Sequence, residues 1–421
     1  MEALTLDTIE IIDPDLYVER GYPHQEWALL REKAPVFWYQ RDNVDPFWAI
    51  TRHADIITVS RQPELFRATQ RLFITLIEPG APPPEEALLR QLLNMNPPEH
   101  GVYRSVVSRR FTPHAVNQLG AQVRRISAQL IDGIADREEC DFVTDVSAKL
   151  PLAVIADLFG IPESDWEMIF RLSNSMIGPA DPEYSHGESI AEALGKARME
   201  FFQYFTQLVE DRRKNPRDDL ASGLANGTVN GEPIPPFELL SYFALLIIAG
   251  NETTRNATTG GLFALISHPE QFDLLRRDPS LIRSATEEII RWTSPVIQFT
   301  RIATADTELN GQRIHNGDVL TLFYPSANRD EDSFEAPDTF DVARNPNYHL
   351  AFGIGEHFCL GASLARLELQ MIFREIAARM EHVELTGPIA RMRSSFVGGI
   401  KHMPIRYKLR PRAATKTSPA P

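Results

Sequence analysis

Cysteine is scarce in this chain: Cys140 and Cys359 are the two among 421 residues. So few speak against a disulfide framework, and a reducing compartment keeps both as thiols. Basic residues are outnumbered, with 43 Lys and Arg against 57 Asp and Glu and a formal net charge of -14. Neutralising phosphates takes a basic face, so general nucleic-acid binding is not expected and only a local basic patch is left open. Long apolar runs are missing too. Nothing approaches the ~18 residues of a membrane span, and the N-terminal MEALTLDTIEIIDPDLY carries acids where a signal peptide has its positive region. A cytoplasmic protein is expected. No internal repeat is found. The rest, 43% apolar and 24% charged, is an ordinary globular composition in a chain long enough for one large domain with a single deep core.

Apolar spacing divides the chain. PVFWYQ and FWAITR, rich in aromatic and β-branched residues around a turn signal at Asn43 and Asp45, predict a small sheet near the N-terminus. From Glu99 to Trp292 apolar residues recur at three- and four-residue spacing, as in AVNQLGAQVRRISAQLIDGIAD, VSAKLPLAVIADLFG and EALGKARMEFFQYFTQLVEDRRK, which predicts a mostly helical middle. Strands are expected again in TRIATAD, TELNGQRI and VLTLFYP, with Asn310-Gly311 as a hairpin turn. A Pro-, Asn- and Asp-rich stretch from Asn328 to Asn347 then runs without periodicity. Loops longer than ~12 to 15 residues in a compact domain tend to be functional, and this one leads to Cys359.

Cys140, in REECDFVTD, reads as an incidental or half-buried thiol. Cys359 stands in FGIGEHFCLG, where glycines let the backbone bend tightly and approach something flat, immediately ahead of the amphipathic run LGASLARLELQMIFREIAARM. A helix N-terminus lowers the pKa of a thiol and makes it a better metal ligand. The string resembles the haem-binding loop of the cytochrome P450 family: Phe, two residues, Gly, three residues, Cys, one residue, Gly. Phe352, Gly355, Cys359 and Gly361 match at every spacing.

Distant segments agree with that resemblance from about residue 20 to residue 410. Glu288 and Arg291 in EEIIR share a helix face at i, i+3 and match the family's ExxR pair, with Arg344 in TFDVAR at the place of its third partner. The three are expected to be a buried structural network that holds the cysteine loop. FALLIIAGNETTRNATT is apolar nearly all round up to Ile248 and then turns small and polar. There Ala249, Gly250, Glu252 and Thr253 resemble the oxygen-binding kink of the family's central helix, which is expected to bend and continue. His100, Arg104, Arg301 and His357 fall where family members clasp the haem propionates, His357 standing where many relatives carry Arg.

The resemblance implies a single mostly α domain with small β-sheets (α+β), the cytochrome P450 fold, over residues 1–410, followed by a frayed tail at 411–421. It implies haem b ligated by Cys359, bordered by Phe352, Ala249 and Gly250, and monooxygenation of a C–H bond with O2. Glu252 and Thr253 are the expected proton-delivery pair. Electrons would come from a separate ferredoxin and ferredoxin reductase, with Arg104, Arg109, Arg110 and Arg366 as the expected docking face of a monomer. A peroxide-using or non-catalytic haem-thiolate protein is disfavoured by the retained acid and hydroxyl. The expected substrate wall is Leu72, Phe73, Ile74, Leu76, Val296, Ile297, Phe299, Phe396 and Val397, largely apolar, which points to a steroid or terpenoid ahead of a fatty acid or an aromatic compound.

Overall fold

The apolar runs in the middle of the chain become helices in the computed structural model, which describes residues 4–69, 71–77, 90–185 and 187–411. The expected tail therefore lies, apart from residue 411, outside the described residues. The longest helix, Pro236–Ser267, has 32 residues, with proline near its start and His268, followed by Pro269, at its end. It passes through Gly250 without a break, so the predicted bend does not interrupt it. Ile190–Lys214 begins with a Ser189–Glu192 capping box and carries Arg212, Arg213 and Lys214 in its last turn, favourable at both ends of the helix dipole. Lys149–Phe159 stops at Gly160, whose φ of 65° suits glycine. Phe159 and Phe205 pack on Phe243 of the longest helix at ring separations of 5.4 and 5.1 Å, in the largest apolar core.

The expected strands form, but the N-terminal sheet is not built from the N-terminus alone. Its order is Val36–Arg41, Val44–Ile50, Val319–Phe323, Gln298–Ala303 and Phe66–Arg67, so two strands come from some 250 residues downstream. Val319–Phe323 runs parallel to Val44–Ile50, a pairing that no local turn signals. The Asn310-Gly311 hairpin joins Thr307–Leu309 to Gln312–Ile314, both turn residues having positive φ. A second sheet, Met380–Leu385, Pro404–Leu409 and Glu139–Asp141, takes Cys140 into its edge strand, where burial pushes the thiol up to about 12. Residues 328–347 contain neither helix nor strand beyond the first turn. No described helix is long and apolar enough to cross a membrane.

Candidate active site

The cysteine loop is shaped by two left-handed residues, Gly353 and Gly355, with φ of 67° and 76°. A Cβ at Gly355 would lie 2.5 Å from the Ser60 carbonyl oxygen, so only glycine lets the loop rest on the end of helix His53–Ser60. The Cys359 amide donates to the Phe352 carbonyl at 2.9 Å, closing the loop, and helix Ala362–Arg379 starts directly after Gly361. Gly361 itself has an ordinary φ of -85° and open space where a Cβ would stand. Burial pushes the Cys359 thiol up, and the amides of Gly361 and Ala362 with the charges of Arg104 and Arg366 oppose this without prevailing. The direction is opposite to the one a helix N-terminus alone predicts, because desolvation of the thiolate is the larger effect.

The four expected propionate ligands lie around this loop. His100, on helix Glu99–Ser108, is buried, and its ring centre stands 4.5 Å from that of His357. Its Nδ1 has no hydrogen-bond partner and is 3.8 Å from the Glu356 carboxylate at the rim. Arg301 is buried on strand Gln298–Ala303, donates to the Thr300 carbonyl at 2.7 Å and faces no carboxylate among the described residues. Burial lowers its pKa. Arg104 donates to the Phe358 carbonyl at 2.7 Å. Burial and then the charges of Arg301, His100 and Arg104 push His357 down to about 3. A buried guanidinium at Arg301 that faces no carboxylate among the described residues, and an imidazole nitrogen of His100 without a hydrogen-bond partner, fit a ligand that brings carboxylates of its own.

On the long helix, Ala249 is exposed and Ile248, Gly250 and Thr253 are half-exposed, although residues 241–247 and 254–259 are buried, so the accessible stretch interrupts a buried span. The Thr253 hydroxyl donates to the Ala249 carbonyl at 2.8 Å. Glu252 differs from its neighbour. It is 1% exposed, pairs with Arg255 and accepts from Asn256 Nδ2 at 3.1 Å.

Glu288 and Arg291 are both buried on helix Ile282–Thr293 and form a two-pronged pair at 2.8 and 2.7 Å. Arg291 also donates to the carbonyls of Asn328 and Pro337, each at 2.8 Å, and Arg344 Nε reaches Glu288 at 3.1 Å. Sequence reasoning missed the amides that complete the network. Asn347 Nδ2 donates to Glu288 at 3.1 Å, while Asn328 takes the Leu350 amide at 2.6 Å and so ties the irregular stretch to the cysteine loop. It also missed Glu287, which holds Arg366 at 2.7 and 2.8 Å and His349 at 3.2 Å. Arg366 lies over the Phe352 ring at 4.6 Å. An asparagine in a Pro- and Asp-rich stretch ordinarily signals a turn, so neither amide was distinguishable by type alone.

A sequence profile of the cytochrome P450 family matches residues 90–401. The chain is 38% identical over 407 residues to the steroid C26-monooxygenase of Rhodococcus jostii (strain RHA1), covering 95% of this chain and 84% of that protein. It is 37% identical to the linalool 8-monooxygenase of Pseudomonas putida, covering 94% and 97%. The protein belongs to the cytochrome P450 family. Among solved structures, a Mycobacterium marinum cytochrome P450 in complex with pseudoionone superposes with a TM-score of 0.88 at 33% identity, over 96% of this chain and 100% of that one. This P450 is therefore a monooxygenase with a haem-thiolate cofactor, and such enzymes use O2 and redox partners.

The nine apolar residues expected to line the substrate wall of the P450 divide among groups that overlap, Phe299 packing on the same core as Val296 and Phe396 on the same cluster as Val397. Phe73 and Phe396 stack at 4.0 Å with an interplanar angle of 13°, and Phe299 meets Phe396 edge-on at 5.6 Å. Leu72 is half-buried beside them in sequence, its carbonyl accepting from the Thr300 amide at 2.9 Å. Ile74 and Ile297 are fully buried in a second core with Trp27, Phe47 and Phe323, and Leu76 packs against that core. Val296 packs on the core beneath the five-stranded sheet, and Val397 is buried with Tyr184 and Met392. Gln298 is spent inside the wall: its amide accepts from Ile74 at 3.1 Å and donates to the carbonyls of Ile74 and Ser395 at 3.0 and 2.9 Å. Arg71 is paired with Asp45. Of the four arginines expected to dock a redox partner, Arg366 and Arg104 brace the cysteine loop and Arg110 pairs with Asp218 at 2.7 Å, while Arg109 is exposed.

Proposed function

We propose that this P450 holds haem b on Cys359 and hydroxylates a steroid or terpenoid, with electrons from a separate ferredoxin and ferredoxin reductase. The observation that carries the substrate class is the aromatic wall Phe73–Phe396–Phe299, next to which the polar side chains Gln298 and Arg71 are already paired. Such a wall offers no fixed cation to a substrate carboxylate. Burying apolar skeleton at ~25 cal/mol per Å2 supplies the binding energy instead. Relatives named for steroid and linalool oxidation support the same class.

In this reading Cys359 is the metal ligand, and a coordinated thiol is deprotonated outright whatever its burial. His100, Arg104, Arg301 and His357 would hold the two propionates, with the unpartnered His100 Nδ1 and the buried Arg301 guanidinium among the donors. Phe352 and the left-handed glycines shape the cysteine loop, and Ala249 and Gly250 would border the haem from the central helix, where Ala249 is accessible and Gly250 also lets Ile155 pack close. Bound haem supplies the activation of O2 and the insertion of one oxygen atom into an unactivated C–H bond. Thr253 holds a proton at its hydroxyl on the open side of the helix, and Glu252 restores it from the buried side. The apolar wall excludes water and orients the substrate.

Two measurements test this. Reduced protein with carbon monoxide shows the red-shifted Soret band of a thiolate-ligated haem, and Cys359→Ala abolishes it while Cys140→Ala keeps it; a normal band in the Cys359 variant overturns the ligation. A spectral titration against sterols, terpenoids, fatty acids and aromatic acids gives the tightest high-spin shift with a sterol or terpenoid. A compact aromatic acid binding best would reject the substrate class.

A further inference from the structure

Arg255 stands one turn beyond Glu252 on helix Pro236–Ser267 and is 1% exposed. Besides the Glu252 carboxylate, its guanidinium donates through Nη1 to Asn174 Oδ1 at 2.8 Å and through Nη2 to the Tyr184 hydroxyl at 3.3 Å. Asn174 lies on helix Trp166–Ile177 and Tyr184 on the short helix Pro182–Ser185. One side chain thus ties the acid to two elements about 70 to 80 residues away, by the separations of 81 and 71 residues along the chain. On the other flank, Asn256 donates to the same carboxylate, and a Cβ on Gly399 would fall 2.2 Å from Asn256 Cγ, so that amide is wedged in place.

Stability does not account for this arrangement. A buried ion pair costs desolvation at both ends, and apolar side chains of equal volume often serve packing as well or better. Burial pulls Arg255 toward neutrality, but Glu252 and Tyr184 reverse that and leave its pKa raised, so the group stays a cation. Glu252 Oε2 is left without a partner, which keeps one carboxylate oxygen available while the other is held. Tyr184 in turn adjoins Glu183, which is bound by Lys401 at 3.0 Å and His402 at 2.9 Å from the C-terminal hairpin.

We infer that Arg255 is a positioning residue for proton delivery: it fixes the Glu252 carboxylate and makes that placement depend on segment 174–184 being docked against the central helix. The inference rests on the reading of Glu252 as a proton-relay group. With the segment seated, the terminal nitrogens of the guanidinium are held by three partners, while its Nε has none. When the segment lifts, Asn174 and Tyr184 leave together, and the carboxylate and guanidinium turn as a pair.

The test uses the full-length haem-loaded protein with a surrogate ferredoxin and ferredoxin reductase and linalool as probe, following product and peroxide per electron consumed. Arg255→Gln lowers product formation by about 100-fold, as misplacing a catalytic group by ~1 Å does, and raises peroxide. Arg255→Lys recovers part of the loss. Glu252→Gln shows a similar defect, and the double variant is no worse than Glu252→Gln alone, because both act at one step. Independently of turnover, amide hydrogen exchange over 174–184 accelerates in Arg255→Gln. Should Arg255→Gln fail to fold, Asn174→Ala and Tyr184→Phe remove the outer anchors singly and give the same changes at smaller size. Normal coupling and exchange in the Arg255 variants, with Glu252→Gln uncoupled, overturns the positioning role and leaves the relay intact. Normal coupling in Glu252→Gln as well overturns the relay reading itself.

Discussion

The cysteine loop and the polar stretch of the central helix are held by different means. On the cysteine side, Glu288 alone receives Arg291, Arg344, Asn347 and the Asp341 amide, and each arginine also binds backbone carbonyls of the irregular stretch. On the central-helix side, Glu252 is held by Arg255 and Asn256, while Glu252 Oε2, Asn256 Oδ1 and both amide atoms of Asn251 lack partners. Among the described residues around Glu288 only Asn347 Oδ1 lacks a partner, and a nearly complete network has few arrangements, since movement strands a buried charge; the more open set around Glu252 has more alternatives of similar energy. The comparison teaches that Cys359, the proposed metal ligand, sits beside a nearly complete network, and Glu252 and Thr253, the proposed proton-handling residues, beside a sparser one.

The sharpest way to break the comparison is Glu288→Ala. It leaves Arg291 charged and buried, so we expect a loss of about 3 to 5 kcal/mol and of haem content, read by thermal unfolding and the haem-to-protein absorbance ratio. An unaltered Tm would show that the cysteine side is not braced by this pair. Phe396→Ala removes the stack on Phe73 and the edge contact with Phe299, about 1 kcal/mol for each ring pair beyond area burial, and weakens terpenoid binding in the same spectral titration. Thr253→Ala loses one hydroxyl bond to the Ala249 carbonyl, which should change stability by less than about 0.5 kcal/mol. It should nonetheless divert electrons into peroxide, and full coupling in that variant would remove Thr253 from proton handling.

The smallest expected effect is one of pH, with opposite sign on the two sides. Burial would raise Glu287, but His349 and Arg366 outweigh it and hold the carboxyl down at about 2. Its contribution is complete above the ordinary carboxylate value and fades as pH falls toward the folded one. His402 shows the reverse. Burial lowers it, yet Asp141 at 2.5 Å and Glu183 at 2.9 Å prevail and raise it, with Lys401 and Asp181 close by. That contribution is complete below the ordinary histidine value and fades as pH rises through the raised one. Hydrogen exchange should therefore quicken first around the cysteine loop in acid and around 181–185 in mild base, and His402→Gln should erase the basic change. Exchange at 181–185 that ignores pH in the parent protein would discard the His402 contact as a latch.

Some of this was legible from spacing alone. The Phe352–Gly355–Cys359–Gly361 string, the i, i+3 pair Glu288–Arg291 and the Asn310-Gly311 turn are set by a few adjacent residues, because turn dihedrals and helix periodicity act over that range. The same reasoning could not divide the apolar wall, since Ile74 and Phe73 are alike in hydrophobicity and differ only in which core lies behind each. Nor could it separate Glu252 from Thr253. They are neighbours in sequence, and the helix buries one against Arg255, which Asn174 and Tyr184 hold, and leaves the other half-exposed. The direction of the Cys359 shift went the same way: the helix start is local and visible, whereas the burial that outweighs it comes from packed distant segments. Sequence determined the ligand loop, its ion-pair brace and most helices and strands, all products of short-range geometry. Tertiary structure alone decided which strands share the main sheet, which phenylalanines stack on one another and which acid is paired with a buried arginine, because burial and desolvation are properties of segments brought together from far along the chain.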